Sequence, residues 1–276
     1  MRTKLVLLAS IVFAIISSRG LAAEREILLA TTTSVQDSGL LDVLLPEFTK
    51  ETGVKVRVIA VGSGAALRMG ADGNADVVLS HAPAVEEELL KTQVFLARFP
   101  FMESYFLIAG PTEDPAKVRD ATDAADAFRR IAAAKAPYVS RGDDSGTHKR
   151  EQELWKAAGL DPKATWPGFV STGAGMGQTL LVAGEKKAYS LTDLATFLAF
   201  QKRIGLERLT KATDDLRNVY SLLPVSPEKF PGKIHAQETN EFVEWILRPT
   251  TARKIAEFGQ QKYGQPLFRP LNIDED

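Results

Sequence analysis

Residues 138–148 combine an arginine, a glycine turn and a helix start, and this combination is suited to binding an anion. Arg141 ends a short apolar run, and Ser145, Gly146 and Thr147 open the following helix. A helix N-terminus offers unpaired backbone N–H groups and a partial positive charge, and serine and threonine hydroxyls add donors. The guanidinium is a rigid planar fork that matches the oxygens of a multiply charged oxyanion. The segment therefore indicates one wall of an oxyanion site.

The same segment allows two other interpretations. Ser145 can cap the helix while Arg141 pairs with Asp143 or Asp144 in a solvated loop. The second interpretation is an enzyme. In an exported hydrolase, Ser145 would be the nucleophile and His148 the base, and in a metal site Asp143, Asp144 and His148 would be the ligands. The three histidines lack the paired spacing of zinc sites, and no Gly-x-Ser-x-Gly elbow, Gly-x-Gly-x-x-Gly pattern or Walker sequence occurs. We therefore expect no enzymatic activity, no catalytic residue, no cofactor and no metal site.

Three further junctions carry small hydroxyl and glycine residues directly after an apolar run. They are Thr31 to Ser34, Gly62 to Ala65, and Ser80 to Ala82. Alone, each fits an ordinary turn or helix cap. In an open α/β sheet, however, such junctions line the ligand crevice at the carboxyl ends of the strands, so their hydroxyl and N–H donors meet there. We interpret the four junctions together as one binding site.

Short apolar runs rich in β-branched residues alternate with helical patterns, which indicates an α/β fold with a mostly parallel sheet. The predicted strands are Glu26 to Ala30, Val54 to Val61, Asp76 to Ser80, Tyr105 to Ala109, Tyr138 to Ser140, Lys187 to Leu191 and Asn218 to Val225. The predicted helices are Ser38 to Lys50, one starting at Ser63 or Gly64, Thr122 to Lys135, Ser145 to Ala158, Gly175 to Ala183, Gln237 to Leu247 and Thr250 to Gln260.

Two of the predicted strands mark crossings between two lobes. The strands at residues 105–109 and 218–225 are each followed by a proline-containing turn. We expect one lobe from residues 24–109 and 222–276 and the other from residues 110–221. Each lobe is expected to be a mostly parallel sheet flanked by helices, with the ligand cleft between the lobes at the carboxyl ends of the strands.

The first 23 residues have the basic start, apolar run and small-residue end of a cleaved secretory signal. Cysteine is absent, so no disulfide and no lipid-anchor cysteine is possible, and we expect a protein of the periplasm. Removal of the signal leaves 31 basic and 35 acidic residues, a formal charge of −4. This charge argues against a nucleic-acid partner and requires a local pocket for an anion. We expect a monomer.

Several sequence features together resemble the substrate-binding proteins of tungstate ABC importers. They are Thr-Thr-Thr-Ser after the first strand, Val-Gly-Ser-Gly-Ala after the second, Ser-Arg-Gly-Asp-Asp-Ser-Gly-Thr-His, and the closing Glu-Phe-Val-Glu-Trp-Ile-Leu with Ile-Ala-Glu-Phe-Gly. The resemblance covers essentially the whole mature chain. It implies a two-lobed periplasmic binding protein of type II that closes over one tungstate and delivers it to a membrane permease driven by an ATPase subunit.

A wider likeness connects the chain to phosphate- and molybdate-binding proteins. Phosphate-binding proteins share the arginine, three intervening residues and Ser-Gly-Thr, and they carry a carboxylate after the third strand that accepts the proton of hydrogen phosphate. This chain has Ser80 and His81 there instead. Tungstate carries no proton at neutral pH, so a carboxylate would repel it, and the departure favours a fully deprotonated dianion. Molybdate, phosphate and sulfate remain alternative ligands of the same fold. Hydroxyl donors in particular do not separate molybdate from tungstate.

We expect Arg141 to supply the full positive charge against the ligand, with hydroxyl and backbone donors around it. The predicted oxyanion ligands are Thr32, Thr33, Ser34, Ser63, Ser80, Arg141, Ser145, Gly146 and Thr147. Asp143 and Asp144 are expected to hold the guanidinium or to favour the helix N-terminus. The glycine-rich run of residues 171–177 is expected to be a strand-to-helix turn, and Tyr189 is expected to pack in the core.

Overall fold

The computed structural model describes residues 25–161 and 163–272, so the predicted signal segment of residues 1–23 lies outside the described residues. The strands are β1 (Glu26–Thr32), β2 (Lys55–Val61), β3 (Val77–Ser80), β4 (Phe99–Gly110), β5 (Tyr138–Ser140), β6 (Phe169–Ser171), β7 (Ser190–Asp193), β8 (Glu207–Arg208), β9 (Arg217–Pro224) and β10 (Arg269–Pro270). The helices are α1 (Thr33–Ser38), α2 (Leu40–Thr52), α3 (Ser63–Ala71), α4 (Pro83–Lys91), α5 (Ala124–Ala133), α6 (Gly146–Ala157), α7 (Met176–Glu185), α8 (Leu194–Ile204), α9 (Ala236–Leu247), α10 (Pro249–Glu257) and α11 (Gln260–Tyr263). Within the described ranges, no helix combines the length and apolarity needed to cross a membrane.

The largest sheet is mixed and follows the order β10-β4-β9-β3-β1-β2. Strand β1 pairs in parallel with β2 and β3, whereas β9 is antiparallel to β3 and to β4. The sequence predicted a mostly parallel sheet, and the structure corrects this, because β9 is antiparallel to β3 and β4, and β4 is also antiparallel to β7, β8 and β10. Strands β4 and β9 connect the halves of the molecule in opposite directions, so side by side they form an antiparallel ladder.

Strand β4 belongs to both halves of the molecule. Its residues 99–105 pair with β9, and its residues 106–110 pair with β7 and β8. Beyond β7, a bridge between Tyr138 and Tyr189 connects to the parallel pair β5 and β6. Two lobes are therefore joined through β4 and β9. The lobe boundaries at residues 109/110 and 221/222 stay a prediction.

Apolar clusters cover both faces of the sheet in each lobe. In the first lobe, one cluster packs α2 against α9, with Phe48 in edge-to-face contact with Phe242 and Trp245, and a second cluster lies under α3. In the second lobe, one cluster lies under α5 and α6 and another under α7 and α8. Helices cover both faces of each sheet, so the strands are held in place by packing. This packing also fixes the positions of the polar residues at the carboxyl ends of the strands.

Several helices and strands differ from the sequence prediction. Helix α1 begins at Thr33, and Gly39, with a φ of 80°, separates it from α2, whereas a single helix from residue 38 was expected. Helices α4, α8 and α11 and strands β6, β8 and β10 were not predicted. Pro83 starts α4 at a position that needs no N–H, and Asp193 caps α8. The other predicted helices are present with small shifts of their ends.

Candidate functional site

The ends of three neighbouring strands in the first lobe place polar residues at one edge of the sheet. Strands β1, β2 and β3 are parallel, so their carboxyl ends coincide, and they lead into α1, α3 and α4. The polar residues at these junctions that the structure buries are Thr31, Thr32, Ser34, Ser63, Ser80 and His81. Burying a polar group is costly unless it finds a partner. The partners of these groups therefore decide what this edge can do.

The junction from β1 to α1 is partly committed to the fold. Thr31 Oγ1 donates to Leu79 O at 3.2 Å, which ties β1 to β3. Thr32 caps α1, and its Oγ1 lies 3.1 Å from Ser34 Oγ, so these two hydroxyls are adjacent. The side chain of Thr33 is exposed, so the structure does not bring its hydroxyl into the buried cluster. As the first residue of α1, Thr33 offers its backbone N–H instead.

The ends of β2 and β3 hold polar atoms that no protein group satisfies. Ser63 Oγ, Ser80 Oγ and His81 Nδ1 are buried, and none has a hydrogen-bond partner among the described residues. Leaving such an atom unpaired costs about 1–3 kcal/mol. Buried orphans of this kind need an explanation, and a ligand that supplies the missing partner is one.

His81 is a neutral group next to the cluster. Its ring centroid lies 5.0 Å from that of Tyr220 and 6.3 Å from that of Phe106. Burial lowers the pKa of His81 from 6.5 to about 4, a hydrogen bond with Asn218 opposes this, and the Arg141 charge reinforces it. At neutral pH the imidazole is therefore uncharged and offers one donor and one acceptor nitrogen.

Arg141 follows β5 in the second lobe and is held by its own loop. Its side chain is 7% exposed, and its Nη2 pairs with Asp143 Oδ2 at 2.5 Å. The other oxygen of Asp143 accepts the N–H of Ser145 at 3.2 Å. Arg141 Nε is buried and has no partner within the described chain. The expectation that an aspartate holds the guanidinium is confirmed for Asp143, whereas Asp144 is exposed and lies 3.9 Å from Lys149.

The start of α6 is fixed by local backbone chemistry. Ser145 Oγ accepts the N–H of His148 at 3.3 Å and so caps the helix. Gly142 and Asp144 have φ values of 62° and 57°, which turn the chain between β5 and α6. Gly142 is also required by space, since a Cβ there would lie 2.9 Å from Ser171 Cβ. The helix N-terminus behind Arg141 is therefore placed before any ligand arrives.

The hydrolase interpretation finds no geometric support in this loop. His148 Nδ1 accepts the N–H of Asp144 at 3.1 Å, and its Nε2 lies 3.2 Å from Gln152 Nε2. Ser145 Oγ meets the backbone of His148 and not its ring. A nucleophile and base would need a direct hydrogen bond between their side chains. In residues 25–161 and 163–272, no three His, Cys, Asp or Glu side chains are grouped to hold a metal.

Gly146 brings the two lobes together. A Cβ at this position would lie 2.7 Å from Ser63 Oγ and 2.9 Å from His81 Cε1. The N-terminus of α6 therefore approaches the ends of β2 and β3 as closely as a backbone without a side chain permits. The charge of Arg141 also acts on Asp37 of α1 and on His81. Predicted ligands of both lobes thus lie around one buried region between the lobes.

Comparison with known proteins identifies the fold. Residues 17–250 match the model of the PBP superfamily domain. The tungstate-binding protein TupA of Peptoclostridium acidaminophilum is 44% identical over 250 residues, which cover 90% of this chain and 86% of that protein. The chain belongs to the PBP superfamily. The expected α/β fold with two lobes is therefore confirmed, and the chain groups with the tungstate-binding members.

Two solved structures are similar to this PBP superfamily member over most of its length. The tungstate-binding protein TupA from Desulfovibrio alaskensis G20 is 39% identical, with a TM-score of 0.80, and the match covers 89% of this chain and 98% of that one. The tungstate ABC transporter structure from Geobacter sulfurreducens is 41% identical, with a TM-score of 0.77, over 86% of this chain and 100% of that one. The similarity therefore extends over both lobes.

The glycine-rich run after β6 supports the Arg141 loop from behind. Gly173 N–H donates to Arg141 O at 2.7 Å, and Thr172 Oγ1 donates to the same oxygen at 3.2 Å. The run is therefore a structural turn, as the sequence predicted. Tyr189 also lies in the core, where its hydroxyl donates to Asp114 Oδ1 at 2.9 Å.

Asp193, at the end of β7, is a buried group that the sequence reading missed. Its two oxygens accept the N–H and the hydroxyl of Thr196, each at 2.8 Å, and so cap α8. Burial raises the pKa of Asp193, while these hydrogen bonds and the Arg141 charge lower it. Helix α8 contacts α1 of the other lobe. The signal in the sequence was an aspartate directly before the run Leu194 to Phe200, which is typical of a helix start.

Glu151 is a second buried carboxyl in this PBP superfamily member, one turn after Thr147 on α6. Burial raises the pKa of Glu151 from 4.5 to about 7, although a hydrogen bond that Trp155 Nε1 donates to Glu151 Oε1 at 3.4 Å opposes the shift. The second lobe thus carries a carboxyl group that is protonated in mildly acidic solution behind the Arg141 loop. Its position on a charged helix gives no sign of burial, so the sequence could not indicate it.

Proposed function

We propose that this protein is the substrate-binding protein of a tungstate ABC importer and captures the tungstate dianion between its lobes. The observation that carries the proposal is a set of buried polar atoms on both walls of the cleft that have no partner among the described residues. They are Ser63 Oγ, Ser80 Oγ, His81 Nδ1 and Arg141 Nε. A tetrahedral oxyanion brings several acceptor oxygens into such a region, next to the N-termini of α3 and α6. The tungstate-binding relatives support the choice of ligand.

The proposed ligands act through hydroxyls, backbone N–H groups and one cation. They are Thr32, Ser34, Ser63, Ser80, Arg141, Ser145, Gly146 and Thr147, with Thr33 contributing its backbone N–H. Hydrogen bonds to a charged group contribute about 1.5–3 kcal/mol each. Several of them suffice for roughly nanomolar binding, about −12 kcal/mol, after the cost of association.

The chemistry of the first-lobe wall favours an unprotonated oxyanion. His81 stands directly after β3 as a neutral imidazole, at the position where a carboxylate would accept a proton from the ligand. Molybdate has nearly the same size and charge as tungstate and would satisfy the same donors. The preference for tungstate therefore rests on the relatives, and molybdate is the second candidate.

The transport role extends the proposal to location and partners. We propose that residues 1–23 direct export and that the mature protein acts as a monomer in the periplasm. There it would pass the oxyanion to a permease and ATPase pair. The lobes formed by residues 24–109 with 222–276 and by residues 110–221 would close over the ligand and carry no catalytic activity.

Calorimetric titration of the purified chain with tungstate, molybdate, sulfate and phosphate tests the proposal. We expect tight tungstate binding without added metal and far weaker binding of sulfate and phosphate. Ser80→Ala should weaken tungstate binding, whereas the control Thr239→Val, which removes a buried unpartnered hydroxyl on α9, should not. Tighter molybdate binding would reassign the ligand, and no response to any of the four oxyanions would refute the proposal.

A further inference from the structure

Two cationic side chains from opposite lobes meet at the N-terminus of α3. Arg68 lies on α3 in the first lobe and Lys149 on α6 in the second. Arg68 Nη1 and Lys149 Nζ each lie 3.4 Å from the point where Gly64 would carry a Cβ. Gly64 directly follows Ser63, one of the unpartnered hydroxyls of the cleft. We call Arg68 and Lys149 the outer cationic pair.

The position of this pair is electrostatically unfavourable for the protein alone. The two like charges repel, and both approach a helix N-terminus, which already carries a partial positive charge. The nearest carboxylate to Lys149 is Asp144, at 3.9 Å with a side chain that is 80% exposed. Within the part of the chain that the structure describes, no carboxylate lies within 4.0 Å of the Arg68 guanidinium. Such a local conflict is typical of a functional position, and a nearby anion would remove it.

A dianion bound in the cleft needs more positive charge than Arg141 alone provides. Arg141 is already paired with Asp143, and Asp193 is buried within reach of the Arg141 charge. A dianion that enters the cleft therefore brings two negative charges to a loop whose arginine is largely neutralised. The outer cationic pair supplies two positive charges beside Ser63, one from each lobe.

We infer that Arg68 and Lys149 compensate the charge of the bound oxyanion and determine the preference of the site for dianions over monoanions. The inference rests on the proposed function. Because the two cations come from different lobes, closure without ligand brings like charges together, whereas closure over a dianion is favoured. Cations at the rim also attract the oxyanion from solution, which matters for a mature chain of net negative charge.

A cavity beside Lys149 is a route for this attraction. A cavity of about 220 Å³ opens beside His81 and Gly146, and Lys149, Arg150 and Arg217 line it. Arg150 and Arg217 are engaged by Glu153 and Glu103 respectively. Lys149 is therefore the member of this wall whose charge is least compensated, which singles it out for substitution.

The test compares the unsubstituted chain with Arg68→Gln, Lys149→Gln and the double variant. Tungstate and perrhenate serve as probes, because both are tetrahedral oxyanions but perrhenate carries a single charge. Stopped-flow and calorimetry at about 20 and about 200 mM salt give the association rate and Kd. We expect each substitution to raise the Kd for tungstate about three- to tenfold, mainly through slower association, and to flatten its salt dependence. Lys156→Gln is the matched control, because Lys156 is exposed at the end of α6, the helix that carries Lys149. It should change neither the Kd for tungstate nor its salt dependence.

The probes separate charge compensation from a loss of structure. In the double variant the ratio of perrhenate Kd to tungstate Kd should fall several-fold, while thermal unfolding without oxyanion stays the same or improves. An unchanged tungstate Kd and salt dependence in the double variant would overturn the inference, as would an equal loss for both oxyanions. If the unsubstituted chain binds no tungstate, the proposed function itself fails. That result differs from both outcomes that would overturn the inference, because each of those requires the unsubstituted chain to bind tungstate.

Discussion

The two walls of the cleft use their polar groups in opposite ways. On the first-lobe wall, Ser63 Oγ and His81 Nδ1 are buried without partners in the described structure, and the His81 imidazole is uncharged at neutral pH. On the second-lobe wall, Arg141 is held by Asp143, and Ser145 caps α6. The first wall therefore leaves these polar atoms to a ligand, whereas the second wall positions its cation and its helix start through its own loop and leaves Arg141 Nε for the ligand. Substitutions on the first wall should cost affinity, and those on the second should cost affinity and stability together.

Arg141→Gln should cause the largest loss of oxyanion affinity. It removes the buried cation and leaves Asp143 without its partner, so we expect a loss of about 3–5 kcal/mol. Calorimetric titration with tungstate measures the effect. Arg129→Gln is the control, since Arg129 lies on α5 with a half-exposed side chain. Equal affinity in Arg141→Gln and the unsubstituted protein would place Arg141 outside the site.

The walls should also respond to pH with opposite signs. The pKa of His81 is about 4 in the fold and 6.5 without burial, so the unfolded chain binds more protons between these values. Stability is therefore lost as the pH falls through this window, by about 3 kcal/mol. The pKa of Glu151 is raised from 4.5 to about 7, so the folded chain binds more protons. Its contribution is present below pH 4.5 and is lost as the pH rises through 7, again by about 3 kcal/mol.

Urea unfolding from about pH 4 to 8 without oxyanion separates the two contributions. In the unsubstituted protein the opposite slopes largely cancel between the pKa values of the two groups. His81→Gln should leave a stability that declines as the pH rises, and Glu151→Gln one that increases. Parallel curves for the two variants would show that the two groups do not titrate as their burial requires.

The sequence predicted ligands on both walls, but only the second-lobe wall carried a local signal for its geometry. A serine cap, a glycine turn and an arginine after a strand act within a few residues of one another, so residues 141–147 carried their own signal. The first-lobe wall depends on which strand ends become neighbours. The burial of His81 against Tyr220, 139 positions later, has no counterpart in local spacing.

The errors of the sequence prediction have physical causes as well. Helix α8 was missed because its first seven residues are apolar except for Thr196, so no polar face interrupts them. The first helix was placed five residues too late, because the predicted start at residue 38 missed the separate helix α1 that begins at Thr33. The parallel sheet was overestimated because a crossing strand such as β4 has the same apolar composition as a parallel one, and composition does not reveal direction.

Gly146→Ala tests how closely the two walls must approach. The added Cβ would lie 2.7 Å from Ser63 Oγ and 2.9 Å from His81 Cε1, so closure would need displacement of the first wall. We expect tungstate affinity to fall by about 1–3 kcal/mol, while unfolding without ligand changes little because alanine suits a helix start. Gly175→Ala is the matched control: it caps α7 with a φ of −62° and has nothing within 4 Å of an added Cβ. Equal affinities for the two variants would mean that the lobes do not meet at Gly146 when tungstate is bound.

Ser63→Ala and Ser145→Ala compare the same small change on the two walls. Ser63 Oγ has no partner in the described chain, so its removal should leave the free energy of unfolding unchanged or slightly higher. Its loss should appear in tungstate affinity alone, at about 1–2 kcal/mol. Ser145 Oγ caps α6, so its removal should lower the free energy of unfolding by about 1 kcal/mol in addition to any loss of affinity. Urea unfolding and calorimetry on both variants measure the two quantities, and a destabilisation of the same size in Ser63→Ala would mean that its hydroxyl serves the fold and not the ligand.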